Sequence, residues 1–207
     1  MILAVDTSLG TAVALIDDDG ACLAEAATAD PLGHAEVIGD LLAHALAEAG
    51  TGPVRLVVAG MGPGPFTGLR IGIAAARTFA LGRSIPVLPV PSHFAAALTA
   101  IEQGDVSGAF AVVTDARRRE VAITVFDGAD ADGIPIVIAD TVLVPSAEAD
   151  AHLDGVRRID VATLSAVALA RVGARALAAG RSLAGDEPLY LRHPDVTLPG
   201  APKKVGR

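Results

Sequence analysis

The chain has 207 residues, of which 52% are hydrophobic and 3% aromatic, and its formal net charge is −8. This length and apolar content exclude a largely disordered chain and require a core of Ala, Val, Leu and Ile. The acidic balance disfavours strong nucleic-acid binding by the chain alone, and the single cysteine, Cys22, excludes an internal disulfide.

The first half of the chain is predicted to alternate strands with helices. Apolar residues at positions 37, 38, 41, 42, 45 and 46 fall on one face of a helix that Gly50 ends. Ser92 is placed to cap a later helix. The predicted elements are strands 2–6, 11–16 and 21–28, helix 34–49, strand 54–59, helix 67–81, strand 87–90 and helix 93–103.

The second half repeats the opening pattern. One predicted strand ends at Asp6 and the next begins at Thr11. The same spacing separates Asp115, at the end of a later strand, from Glu120, at the start of the strand after it. This predicts a duplicated unit with two lobes, residues 1–104 and 105–207; coincidence between two hairpins is the alternative. The predicted elements here are strands 109–115, 120–126 and 134–144, helix 161–179, an extended piece at 188–191 and a loose end from 194.

The segment 60–70 is rich in glycine and proline and leads into the second helix. Its glycines permit close backbone approach and its prolines stiffen the loop. Thr67 is placed to cap the helix, whose N-terminus is a candidate anion site. A P-loop would need a lysine, but the only lysines are Lys203 and Lys204, and no acidic ribose ligand follows. Both nucleotide-binding motifs are therefore disfavoured.

Small residues form a ridge along this second helix, at Gly68, Gly72, Ala76 and Ala80. Each interior glycine costs a helix roughly 1 kcal/mol relative to alanine, so the close approach of a neighbour must compensate. Two explanations stay open: the ridge packs within this chain, or it packs against a partner chain.

The titratable residues give little support to an enzyme of this chain's own. The histidines lack the spacing of a zinc protease, and the ten residues from His34 to His44 are too many for one metal site. The strand-end carboxylates Asp6 and Asp115 suit either a divalent cation or the capping of their own turns, and capping is favoured. The segment 117–119, three arginines, suits a contact with tRNA, with an acidic partner or, as the favoured reading, with solvent only.

Four segments carry a family resemblance: ILAVDTS at 2–8, GPGPFTGLRIG at 62–72, DARRREV at 115–121 and PLYLR at 188–192. On these segments, and over nearly its whole length, the chain resembles the TsaB (YeaZ) family. The resemblance implies a duplicated α/β fold of the actin, sugar-kinase and heat-shock-chaperone type, which is ribonuclease H-like and has two lobes. Since no basic leader or long uncharged apolar stretch occurs, a cytoplasmic protein is expected.

The resemblance also implies a non-catalytic subunit for making N6-threonylcarbamoyladenosine in tRNA. It implies three associations: with a TsaD-like subunit that carries the metal and the transferase site, with a TsaE-like ATPase, and with a second copy of the chain. Contact with tRNA would be indirect. The chain would hold no metal or cofactor of its own, and ATP or ADP would bind only at the partner interface. The alternatives are a self-standing ATP-dependent or glycoprotease-like enzyme, and a homodimeric scaffold without a link to tRNA.

In that family the first two helices form the dimer surface. The partner-binding residues that this implies here are His34, Val37, Ile38, Leu41, Leu42, Gly68, Arg70, Ile71, Gly72, Ala75, Ala76 and Phe79. The candidate nucleotide contacts are Asp6, Gly62, Gly64, Thr67 and Asp115.

Overall fold

The computed structural model describes residues 1–30 and 33–192, and the first half of the chain builds one β-sheet. Its elements are β1 (Ile2–Asp6), β2 (Thr11–Ile16), β3 (Cys22–Thr28), α1 (His34–Glu48), β4 (Leu56–Gly60), α2 (Phe66–Arg83), β5 (Val87–Val90) and α3 (His93–Glu102). The strands lie in the order β3-β2-β1-β4-β5, with β1 antiparallel to β2 and parallel to β4. Strands β1, β2 and β4 are wholly buried because helices cover both faces, which explains their unbroken apolar sequences.

The second half builds a smaller sheet of the same design. Its elements are β6 (Ala109–Asp115), β7 (Glu120–Ala129), β8 (Pro135–Pro145), a 3₁₀ turn (Ser146–Glu148), α4 (Ala149–Leu153), β9 (Arg157–Asp160) and α5 (Ala166–Ala178). The order β8-β7-β6-β9, with β9 parallel to β6, repeats the order and directions of β3-β2-β1-β4. The predicted two-lobed, duplicated α/β fold is therefore confirmed.

The helices form layers around the two sheets. Helices α1 and α2 cover one face of the first sheet, and α5 covers the other. Helix α3 lies between α5 and the second sheet, where Phe94 packs edge-on against Phe126. The first half thus supplies a helix to the second sheet, and the second half supplies a helix to the first. The division of the chain at residue 104 stays a prediction.

Several sequence-based boundaries are wrong in the second half. Helix α5 begins at Ala166 rather than at 161, and strand β7 runs on to Ala129. The elements α4 and β9 were not predicted, because they have only five and four residues and a largely polar sequence. The piece 188–191 forms no strand, and the predicted loose end from 194 lies outside the described residues.

Candidate functional site

A buried polar cluster holds the glycine- and proline-rich loop onto the sheet. The Asp6 carboxylate accepts hydrogen bonds from the Ser8 backbone N–H at 2.7 Å and from the Ser92 hydroxyl at 2.5 Å. The backbone N–H of Gly62 donates to the Ser92 oxygen at 3.0 Å. A Cβ on Gly60 would overlap the Asp6 carboxylate, so only glycine fits there. Burial raises the pKa of Asp6, and the bond from Ser92 partly offsets that rise.

Neither predicted helix cap makes a side-chain cap hydrogen bond. Ser92 makes no cap hydrogen bond to α3, since its hydroxyl bonds within the cluster around Asp6. Helix α2 starts at Phe66, with Pro65 in the capping position, and Thr67 makes no cap hydrogen bond. Proline fits there because its fixed φ suits the extended backbone before a helix and a helix start needs no N–H from it.

The small-residue ridge of α2 faces this chain's own core. A Cβ on Gly72 would overlap the Thr7 side chain, and one on Gly68 would lie 2.8 Å from His34 Nε2. The Thr7 hydroxyl donates to the Gly68 carbonyl at 2.7 Å. Ala76 and Ala80 continue the ridge and are 0% and 2% exposed. The internal explanation therefore accounts for this ridge.

The predicted partner-binding residues divide by exposure. Arg70 is exposed, and its guanidinium lies 3.8 Å from the Phe66 ring centroid while Nε donates to the Tyr190 hydroxyl. The buried ones are His34, Ile38, Gly68, Gly72 and Ala76. The half-buried ones are Val37, Leu41, Leu42, Ile71, Ala75 and Phe79.

Two other small-residue ridges face outward on the same layer. On α1 the exposed ridge consists of Ala35, Gly39, Ala43 and Ala47, and on α2 it consists of Ala74, Thr78 and Gly82. A Cβ added to Gly39 or to Gly82 would meet no atom of the described residues within 4 Å. Leu81, beside the second ridge, is 81% exposed. We name these residues together the outer α1–α2 face. The i, i+4 spacing that revealed the inner ridge would also have revealed these.

A cleft of about 680 Å³ opens beside this layer, between the two lobes. Its walls include Gly64 and Thr67 from the loop and Asp115 from the second lobe. These three predicted nucleotide contacts come together, whereas Asp6 and Gly62 are buried below the loop and do not line the cleft. The Asp115 carboxylate accepts the Arg117 backbone N–H at 3.2 Å, as the predicted capping role requires.

The arginine segment forms a left-handed turn at the cleft. Arg117, Arg118 and Arg119 have φ values of 61°, 55° and 62°. Such a conformation costs a non-glycine residue roughly 1–2 kcal/mol. The Arg192 guanidinium donates to the Arg117 carbonyl at 3.1 Å and also contacts the Glu120 carboxylate. The end of the described chain thereby holds this turn in place.

The segment before Arg192 crosses α2 and closes one wall of the cleft. The Leu189 backbone N–H donates to the Met61 carbonyl at 2.8 Å, and this hydrogen bond attaches the segment to the glycine- and proline-rich loop. The Tyr190 ring lies 4.5 Å from the Phe66 ring, centroid to centroid. The PLYLR motif therefore connects the first lobe to the second.

The described part of the chain shows neither a metal centre nor a membrane span. Within residues 1–30 and 33–192, no group of three or more His, Cys, Asp or Glu side chains is arranged to hold a metal ion. No helix within these ranges is long and apolar enough to cross a bilayer.

A repeated sheet in each of two lobes, with a cleft between them, defines a two-lobed α/β protein of the actin and sugar-kinase type. The family described as TsaD, tRNA N6-adenosine threonylcarbamoyltransferase, matches residues 31–163, which is more than half of the chain. The chain belongs to this family.

Individual relatives confirm the resemblance to TsaB. An uncharacterised Mycobacterium tuberculosis protein is 44% identical over 124 residues, and the tRNA threonylcarbamoyladenosine biosynthesis protein TsaB of Escherichia coli is 32% identical over 122. Each alignment covers 58% of this chain, and they cover 56% and 52% of those proteins, so the chain spans about half the length of the curated relatives it matches. The structure of YeaZ from Pseudomonas aeruginosa superposes with a TM-score of 0.73 at 25% identity, covering 92% of this chain and 99% of that one.

Proposed function

We propose that this chain is a non-catalytic assembly subunit for tRNA threonylcarbamoyladenosine biosynthesis, which binds a TsaD-like subunit through the outer α1–α2 face. The observation that carries the proposal is the pair of outward ridges of small residues. The biosynthetic role is taken from the TsaB relatives, whose names state it for those proteins.

The exposed glycines on these ridges support close helix packing with another chain. Gly39 lies in the interior of α1 and Gly82 in the last turn of α2. An interior glycine costs a helix roughly 1 kcal/mol relative to alanine, and no atom of residues 1–30 and 33–192 lies near enough to require it. Small residues allow two helix backbones to approach closely, so an approaching partner helix offsets the cost.

The surroundings of the strand-end carboxylates favour a subunit without chemistry of its own. Asp6 is buried and accepts hydrogen bonds from Ser8 and Ser92. Asp115 accepts one from its own turn. Asp6 is therefore engaged in a buried hydrogen-bonded cluster, and Asp115 caps its own turn. We also propose that a TsaE-like ATPase joins the assembled pair and that a second copy of the chain competes for the outer α1–α2 face.

The test is co-purification of a tagged TsaD-like partner with Gly39→Leu. The added side chain has free space in the isolated chain, so we expect a folded protein at least as stable as the wild type and a loss of at least tenfold in partner recovery. Ala178→Leu, at an exposed position of α5, is the matched control and should bind normally. Undiminished recovery with Gly39→Leu would refute the proposed interface.

The homodimer is tested with the same variants. If a second copy uses the outer α1–α2 face, light scattering of the isolated chain should show Gly39→Leu shifted towards monomer relative to Ala178→Leu. A dimer that persists unchanged in Gly39→Leu would place self-association on another surface.

A further inference from the structure

We infer that the cleft between the lobes binds an unpaired nucleotide of an RNA, with its phosphate on the turn 117–119 and its base against the wall formed by Phe66 and Tyr190. The inference rests on the proposed function, since an assembly that modifies tRNA must hold RNA near its subunits. It goes further by giving this chain a direct contact with RNA.

The charge around the cleft contrasts with that of the chain. The net charge is −8, yet Arg117, Arg118 and Arg192 all line the cleft. Glu120 neutralises Arg192 through an ion pair, and Asp115 is the carboxylate on the cleft wall. Within residues 1–30 and 33–192, the Arg117 guanidinium has no hydrogen-bond or ion-pair partner. An exposed guanidinium at the rim of a concave surface, with no such partner there, is a group that can bind phosphate.

Three hydrogen bonds to backbone carbonyls hold the turn 117–119 at the cleft. Its left-handed backbone is held by Arg192 at the Arg117 carbonyl and by the hydrogen bond from the Ser146 N–H to the Arg119 carbonyl. The Glu120 N–H also donates to the Arg117 carbonyl at 3.0 Å. These contacts fix the backbone of the turn, so that the Arg117 side chain starts from the wall of the cleft.

The opposite wall supplies flat aromatic surface. Phe66 and Tyr190 are both half-buried and both line the cleft, and Arg70 stacks on Phe66. Unpaired RNA bases are commonly bound on aromatic rings and on guanidinium planes, with arginine or lysine on the adjoining phosphates. A volume of about 680 Å³ lies within the range of pockets that hold small ligands of nucleotide size.

These features favour an unpaired nucleotide over the other anionic occupants. A base-paired helix keeps its bases stacked and paired, so it offers no single base to the wall formed by Phe66 and Tyr190. An acidic peptide would use Arg117 but would make no use of the aromatic wall. A free nucleotide and inorganic phosphate carry the same phosphate group as RNA. The experiment therefore includes both as competitors.

The experiment measures fluorescence anisotropy of the full chain with a labelled RNA hairpin that has an open loop, at several salt concentrations. We expect the hairpin to bind at low salt more tightly than the same stem closed as a blunt duplex. Arg117→Ala should weaken binding and reduce the slope of log K against log salt by about 0.7, the value for one single-strand phosphate contact. Arg157→Ala, an exposed arginine of β9, is the matched control and should change neither quantity.

A second variant and three competitors complete the test. Tyr190→Leu should weaken hairpin binding at every salt concentration without changing the slope, because it removes stacking and not charge. Absence of hairpin binding, or a slope unchanged by Arg117→Ala, would overturn the inference. If AMP or inorganic phosphate displaces the hairpin at concentrations below those of the RNA phosphates, the cleft binds a free ligand and the inference is overturned. If a polyglutamate peptide binds more tightly than the hairpin, the cleft binds an acidic partner and the inference is likewise overturned. Arg117→Ala should still recover the TsaD-like partner normally. A failure of the RNA-binding inference is therefore distinguishable from a failure of the proposed assembly role.

Discussion

Single glycines in the α1–α2 layer have opposite structural roles, depending on the direction they face. Gly72 faces Thr7 in the core, where a Cβ would overlap the threonine side chain. Gly39 faces open space. The sequence shows both as glycines in helices, and only the packing separates a residue needed for folding from one available to a partner.

This difference predicts stability changes of opposite sign. Gly72→Ala should destabilise the chain by about 1–3 kcal/mol, because the added methyl group overpacks the contact with Thr7. Gly39→Ala should stabilise it by up to about 1 kcal/mol through helix propensity alone. Urea unfolding of both variants measures the two changes, and a stabilised Gly72→Ala would contradict the described packing.

The buried imidazole of His93 makes stability depend on pH. Its Nδ1 lies 2.7 Å from the Thr124 hydroxyl and its Nε2 lies 2.9 Å from the Thr114 hydroxyl. Burial lowers the pKa of His93 from 6.5 to about 3. Between pH 6.5 and pH 3 the unfolded chain binds a proton on His93 and the folded chain does not. The free energy of unfolding is therefore undiminished by His93 above pH 6.5 and decreases as the pH falls towards 3.

We expect His93 to cost about 2 kcal/mol of stability between pH 7 and pH 5. The variant His93→Gln keeps a polar side chain and cannot titrate in this range. Urea unfolding of both proteins at the two pH values should show a smaller pH-dependent loss in the variant. Equal losses in the two proteins would mean that His93 titrates normally.

At the scale of elements, helix α5 depends on one close approach to the first sheet. A Cβ on Gly173 would overlap the Val58 side chain on β4. The glycine therefore lets a helix from the second half of the chain pack directly on a strand from the first half.

A double-mutant cycle tests this contact. Gly173→Ala should destabilise the chain by about 1–3 kcal/mol, and Val58→Ala should also destabilise it by leaving a cavity. Because the alanine at 173 would fill the space that Val58→Ala opens, the double variant should be more stable than the sum predicts by at least about 0.5 kcal/mol. Simple additivity in urea unfolding would show that the two residues do not touch.

The sequence predicts the elements of the first lobe better than those of the second. Strands β1, β2, β5 and β6 have the predicted bounds, because short, mainly apolar runs are typical of strands. The pattern misses α4 and β9, which are too short for a period to be visible. It also cannot show that α3 and α5 each pack on the sheet of the other half, since that depends on contacts distant in sequence.

At the scale of the whole molecule, the sequence located the site only in part. It identified Gly64, Thr67 and Asp115 as neighbours, and the cleft contains all three. It did not identify Tyr190 and Arg192 as cleft residues, because these come from a segment far along the chain that forms no regular element. The spacing left the inner ridge of α2 open between internal and partner packing, and the family resemblance placed it at the partner surface. The outer α1–α2 face has the same spacing, and burial shows that it is the exposed one.

We propose that this molecule serves tRNA modification by assembling with a partner through the outer α1–α2 face. The most direct measurement is the amount of N6-threonylcarbamoyladenosine in tRNA from cells depleted of this protein and supplied with a variant, determined by mass spectrometry of digested tRNA. We expect the wild type and Ala178→Leu to restore the nucleoside and Gly39→Leu, although folded, to leave it low. Full restoration by Gly39→Leu, or a nucleoside level that does not fall on depletion, would contradict the account.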